Sequence, residues 1–277
     1  HNISVSGAAG ILPYRASFGF SGNQGVLRTS NNDRLTGSIA LNPSFLNDQF
    51  KFELNARGTR VDNRFADQGA IATAINFDPT QSVMSDNDQF GGYTAWLDVD
   101  GNPIGIAPAN PVAQIEQRRD ESTVYRILGN AKLDYNPSFF DDLTATLNLG
   151  LDYSDVGDGK VLVSDEAAFA FDGQGLSGIQ SDYDQRKENE LLDFYLNYNT
   201  DLESIESSLD LTAGYSWEHH FEEGSNYSTN FDRSQAVRVD SDTDYATEYY
   251  ITSFFGRANY SFKDRYLLTW TILLIRR

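Results

Sequence analysis

Residues 35–58 read LTGSIALNPSFLNDQFKFELNARG. Before the turn at Pro43, Leu35, Gly37, Ile39 and Leu41 fall on one face, while Thr36, Ser38 and Asn42 fall on the other. After it, Phe50, Phe52, Leu54 and Ala56 alternate with Lys51, Glu53, Asn55 and Arg57. A repeat of two belongs to half-exposed strands, not to helices, because successive side chains of a strand point to opposite faces.

The same unit returns in residues 130–155, NAKLDYNPSFFDDLTATLNLGLDYSD, and in residues 191–217, LLDFYLNYNTDLESIESSLDLTAGYSW. Each copy is a hairpin with an Asn before the turn and an acidic residue within or just after it. The spacing is too uneven for a solenoid. Strand candidates cover 1–7, 14–22, 34–42, 50–62, 122–136, 143–155, 191–200, 207–219, 249–262 and 265–272, about ten in all. The connections at 8–13, 43–49, 137–142, 201–206 and 263–264 are short. Those starting near Asn23, Asn63, Val156 and His220 are expected to be long, and the second covers nearly sixty residues.

That alternation of short and long connections points to an all-β fold, an antiparallel transmembrane β-barrel wall with short periplasmic turns and long extracellular loops. Tyr125, Ile127, Ala131, Leu133 and Tyr135 are assigned to lipid, and Arg126, Asn130, Lys132 and Asp134 to the lumen. Tyr135, Tyr153, Tyr198, Tyr215, Trp217, Tyr260, Phe262 and Tyr266 sit at strand ends, where interfacial girdles belong. A secreted or surface β-sandwich would also alternate, but it calls for connections of similar length on both sides. A passive porin is the other rival.

The 277 residues contain no Pro-, Ser- or Gly-rich linker, so 1–277 reads as one architectural unit. No run reaches the roughly 18 apolar residues of a spanning helix. The formal charge of -19, from 40 acidic and 21 basic residues, argues against a nucleic-acid partner and is expected to solvate the long loops. The chain has no Cys, which excludes disulfides and thiol chemistry. It starts at His1 directly in a strand pattern, HNISVSG, as expected after removal of a signal peptide or for an internal piece. At the other end DRYLLTWT alternates, whereas ILLIRR runs apolar and basic, as an artificial or frameshifted terminus would.

No catalytic set, cofactor motif or metal site emerges. The adjacent His219 and His220 should point to opposite faces and so cannot share a metal; an exposed position where a loop begins is expected for them. LDVDGNPIG, residues 97–105, spaces Asp98, Asp100 and Asn102 like a calcium loop, but Pro103 stands where Gly is needed and the closing Glu is missing, so a small hairpin is expected. DVGDGK, from Asp155, reads as a turn. The ligand candidates are Phe90, Tyr93 and Trp96, close together in QFGGYTAWLD within the long loop, where aromatic faces beside polar groups suit a sugar or peptide.

Four stretches in order, YRASFGFSGNQGVLRTSNNDRLTGSIALNPSFLNDQFKFELN, NRFADQGAIATAINFDPTQSV, LLDFYLNYNTDLESIESSLDLTAGYSW and SFFGRANYSFKDRYLLTWT, together resemble the SusC/RagA-like family of TonB-dependent outer-membrane receptors of Bacteroidetes. Such receptors are barrels of about 22 strands around an N-terminal plug. The resemblance implies a bacterial outer-membrane importer of oligosaccharides or peptides, energised by the TonB complex and covered by a SusD-like surface lipoprotein, with no chemistry or cofactor of its own. Against that pattern, this sequence has no plug, no TonB-contacting segment and no carboxypeptidase-like N-terminal domain. It is therefore expected to form about ten strands of a larger barrel, with two strand edges left unpaired.

Overall fold

The computed structural model describes residues 1–86, 88–171, 178–233 and 244–276. Ten long strands form within them: β1 (Asn2–Ala9), β2 (Leu12–Gln24), β3 (Asn31–Leu41), β5 (Phe50–Phe65), β6 (Arg118–Tyr135), β7 (Leu143–Val163), β8 (Ile179–Leu202), β9 (Ser207–Thr229), β10 (Tyr245–Phe262) and β11 (Tyr266–Arg276), with β4 a two-residue strand at Ser44–Phe45. They make one antiparallel sheet in strict chain order from β1 to β11, with β4 paired to the start of β5. Within it β1 and β11 each pair on one side only.

The register carries the alternation from β1 to β10, whereas β11 sets Ile275 opposite Ser253 and so brings apolar side chains to both faces. Lys132 faces Glu53 and Asn148, Asn148 faces Asp193, Asp193 faces Ser216, and Ser216 faces Ser253, so polar side chains share one face. The opposite face is apolar and bare: Leu149 is 42% exposed, Phe194 45% and Trp270 67%. Among the described residues the buried apolar side chains are Ala70, Ala113, Val163 and Ala167, at or beside the long connections. A sandwich would cover its apolar face with a second sheet. Here a single sheet leaves that face open, as a wall facing hydrocarbon requires.

Two aromatic belts border the apolar face. Near the short connections Phe50 stacks on Tyr135 with ring centroids 4.3 Å apart, Phe140 meets Tyr198 at 5.3 Å and Phe262 meets Tyr266 at 6.3 Å. Toward the long connections Tyr215 meets Phe254 at 5.2 Å, and Trp217 meets Tyr250 at 6.0 Å. Between the belts β7 runs from Leu143 to Tyr153, close to the 9–11 residues or so that a tilted strand needs to cross a bilayer.

The turns on the short side follow local chemistry. Lys263 and Asp264 both adopt positive φ, 53° and 52°, in the three-residue connection 263–265, where the Arg265 amide donates to the Phe262 carbonyl at 3.1 Å. Leu46, Asn47 and Asp48 are left-handed in succession, with φ of 53°, 54° and 66°.

The long side departs from the sequence reading in four places. The connection starting near Asn23 is short: β2 and β3 pair out to Gln24 and Asn31, which leaves only residues 25–30. DVGDGK is not a turn but a bulge inside β7, where the register with β8 shifts between Val156 and Gly159 and Asp158 has φ 58°. Much of what reads as loop after Val156, before Leu191 and after His220 is strand, because β7, β8 and β9 reach 21, 24 and 23 residues. Many acidic residues expected in loops, among them Glu188, Glu190, Glu222 and Glu223, accordingly lie on strands that rise beyond the apolar band. At the C-terminal side, Ile272–Arg276 continues β11 in register with Gly256–Thr252.

Candidate ligand site

Residues 66–117 join β5 to β6 and fold as a small unit of their own. Two helices, α1 (Gly69–Asn76) and α2 (Pro111–Glu116), pack together, and the Thr73 hydroxyl donates to Gln114 Oε1 at 2.6 Å. Asn110 is its hub. Asn110 Oδ1 accepts from the amides of Val112 and Ala113 at 3.1 and 3.3 Å, capping α2, and Nδ2 donates to the carbonyls of Val83 and Thr94 at 2.7 and 3.3 Å. An Asn followed by Pro at the first helical position suits a helix start, since Asn supplies the acceptor and Pro has no amide to satisfy.

Two successive hairpins display the aromatic side chains. In the first, Met84 bridges to Tyr93 and the Ser85 amide donates to the Gly92 carbonyl at 2.8 Å; Gly91 and Gly92 turn the chain with φ of 62° and 76°. In the second, Leu97 bridges to Pro103 and the Ile104 amide donates to the Trp96 carbonyl at 2.8 Å. LDVDGNPIG is thus the tip of a hairpin, as expected: Asp98 Oδ1 accepts from the amides of Asp100 and Asn102 at 2.9 and 2.8 Å, and Gly101 has φ 82°. The Asn102 amide holds the Asp98 carboxyl below its ordinary pKa against a smaller opposing effect of desolvation, with Asp100 assisting. Among the described residues no cluster of three His, Asp or Glu side chains is placed to hold a metal ion.

Phe90, Tyr93 and Trp96 line one cavity of about 150 Å³, together with Gln114, Gln117 and Phe169. Phe169 comes from the connection between β7 and β8, so two segments far apart in sequence build the site. Three contacts tie the unit down. The Ser164 amide donates to the Gln117 carbonyl at 3.0 Å, Arg28 pairs with Glu116 at 2.9 Å and Arg118 pairs with Asp67 at 3.6 Å. Gln117 Nε2 donates to the Phe90 carbonyl at 3.2 Å, which fixes the first ring's backbone. Trp96 Nε1 is shielded from solvent with no acceptor among the described residues. A buried indole N–H without a partner costs on the order of 1–3 kcal/mol.

Composition and spacing single out the three rings but not Gln114, Gln117 or Phe169, which only the fold brings to them. The histidines also sit elsewhere than expected. Both lie within β9 rather than where a loop begins, on opposite faces: His219 between Glu190 and Glu248 at 3.2 and 2.9 Å, and His220 between Asn189 and Glu218 at 2.7 and 3.1 Å.

No protein-family model matches the chain. TonB-dependent receptor SusC of Bacteroides thetaiotaomicron is 33% identical over 98% of this chain, and TonB-dependent receptor P26 of Formosa agariphila is 25% identical over 97%. The chain spans little more than a quarter of these relatives, 28% and 27% of their lengths. In structure it is similar to the RagAB peptide importer in the closed-closed state, with a TM-score of 0.69 over 99% of this chain and 31% of that one at 18% identity. The siderophore receptor PiuA from Acinetobacter baumannii gives 0.54 over 98% of this chain and 39% of that one at 12% identity. With a bare apolar band, two aromatic belts and likeness to SusC along nearly its whole length, this outer-membrane chain belongs to the SusC/RagA-like family of TonB-dependent receptors, in which it forms a stretch of β-barrel wall.

Proposed function

We propose that the chain supplies wall and extracellular mouth to an importer of oligosaccharides or peptides, energised by TonB and covered by a SusD-like surface lipoprotein, and that the cavity of Phe90, Tyr93 and Trp96 receives one unit of the incoming ligand. The observation that carries this reading is the cavity itself, lined by three aromatic side chains with Gln114 and Gln117 on the side of the long connections. A space of about 150 Å³ takes a single ring or side chain. The rings offer flat apolar faces, and the carboxamides of Gln114 and Gln117 suit the hydroxyls of a sugar or the amides of a peptide. No bond needs to be made or broken: selection at the mouth and gated passage suffice.

Uptake of labelled oligosaccharides and of labelled peptides by cells with and without TonB tests the coupling. Loss of saturable uptake without TonB is expected, and TonB-independent passage would leave a passive pore. In the native receptor Trp96→Ala is expected to weaken ligand binding roughly tenfold or more, the cost of one well-packed aromatic contact. Unchanged affinity in calorimetry would remove the cavity from the site.

A further inference from the structure

The cations on the polar face are treated unequally. On β6 and β8 each has its carboxylate: Arg126 grips Asp152 through two bonds of 2.9 and 2.7 Å, Lys132 meets Asp134 at 2.8 Å, and Lys187 meets Glu222 at 3.0 Å. On β2 and β5, Arg15 and Arg57 have no carboxylate partner among the described residues, although the chain carries 40 acidic side chains against 21 basic ones. The register explains the isolation. Along their polar face β1, β2 and β3 present Asn2, Ser4, Ser6, then Ser17 and Ser21, then Arg34, Thr36 and Ser38, with no acidic residue among these positions.

The same register brings the two arginines into one site. Arg15 stands opposite Ala40 and Arg57 opposite Ser38, so the guanidinium groups rise on either side of β3, whose side chains between them are small. Strands β2 and β5 lie about 10 Å apart, two inter-strand spacings, which two arginine side chains bridge easily. Both line one cavity of about 630 Å³, where Asn2, Asn55 and Asn130 add carboxamides. That volume lies within the range of ligand clefts. Guanidinium matches carboxylate in geometry and binds it bidentately, while carboxamides both donate and accept and so suit the hydroxyls or amides around it.

We propose that Arg15 and Arg57 form an anion site on the lumenal wall for the carboxylate of a transported solute, so that the importer handles acidic oligomers: oligosaccharides containing a uronate, or peptides through their free C-terminus. This rests on the import reading above and narrows its substrate class. The site lies on the strand wall, apart from the aromatic cavity of the 66–117 unit, and the two are separable by mutation.

The test is calorimetric binding to the native receptor in detergent, with matched probes that differ only in charge: trigalacturonate against its methyl ester, and trialanine against trialanine amide. At low salt at least one acid is expected to bind tenfold or more tightly than its neutral partner, with the advantage shrinking as salt rises. The pair that shows the difference names the source of the carboxylate. Arg15→Gln with Arg57→Gln is expected to abolish the advantage, Arg15→Lys with Arg57→Lys to retain part of it because charge persists without the fork, and Arg60→Gln on the outer face to leave it intact. Equal binding of acid and neutral forms by the native receptor overturns the proposal, whether the arginines are idle or already hold a carboxylate of the protein. So does a charge preference that survives the double Gln substitution. These readouts are independent of TonB, so a failed uptake assay strikes the import reading without touching them.

Discussion

At the scale of single residues, the conformations that matter are set by local donors and acceptors. Asp98 fastens its hairpin through the amides of Asp100 and Asn102, and its pKa is lowered by them. A depressed folded pKa means that this contribution is fully present above the value of an unfolded aspartate, about 3.9, and fades as pH falls through the lower folded value. Hydrogen exchange of the Asn102 amide, corrected for intrinsic pH dependence, is therefore expected to accelerate at acid pH in the native protein. In Asp98→Ala the exchange should be fast throughout; slow exchange in that variant would show that Gly101 and the Leu97–Pro103 bridge hold the turn unaided. Such short-range features were legible in the sequence, where Asp100–Gly101 announces a hairpin. The partners of His219 and His220 were not legible, because Glu190, Glu248 and Asn189 reach them only through strand pairing.

At the scale of elements, packing across the sheet decides what the period of two leaves open. Gly214 lies in register between Tyr195 and Phe255, whose rings approach to 6.4 Å across it. A Cβ at Gly214 would overlap Phe255 Cζ and Tyr195 Cβ, so the glycine makes room for the aromatic pair. Gly214→Leu is expected to destabilise the wall by about 1–3 kcal/mol, the usual cost of overpacking, read as a lower urea midpoint in lipid vesicles. Wild-type stability in the variant would mean that the rings turn aside freely. Strand extent shows where sequence reading stops. Residues 179–190, IQSDYDQRKENE, are polar on both faces and show no hydrophobic period. They pair nonetheless, because the neighbouring strands supply polar partners: Gln185 donates to Glu222 at 3.1 Å, Lys187 meets Glu222 at 3.0 Å and Ser225 donates to Asp184. Above the apolar band lipid no longer selects for alternation, so the pattern fades while the hydrogen-bonded ladder continues.

For the molecule as a whole, the medium outside the wall sets the rules. Leu149 lies midway between Leu143 and Tyr153 on the apolar face of β7. Leu149→Arg is expected to cost about 2–4 kcal/mol in reversible folding into vesicles, whereas Tyr153→Arg, at the belt, should cost at most about 1 kcal/mol. Equal costs at the two depths would contradict the placement of the bilayer. The topology was readable without coordinates, because short polar turns force successive strands to be neighbours and a period of two assigns each side chain to one face. Those constraints are local along the chain, and they are why one all-β wall, its polar and apolar faces and its aromatic belts follow from the amino-acid order. What lies in contact across the chain needed the tertiary structure: Phe169 beside Trp96, the extension of β7 to β9 into apparent loop, and the lack of a carboxylate partner for Arg15 and Arg57 among the described residues. These depend on register and on how long connections fold back, and a shift of one residue in register would move each of those side chains to the other face.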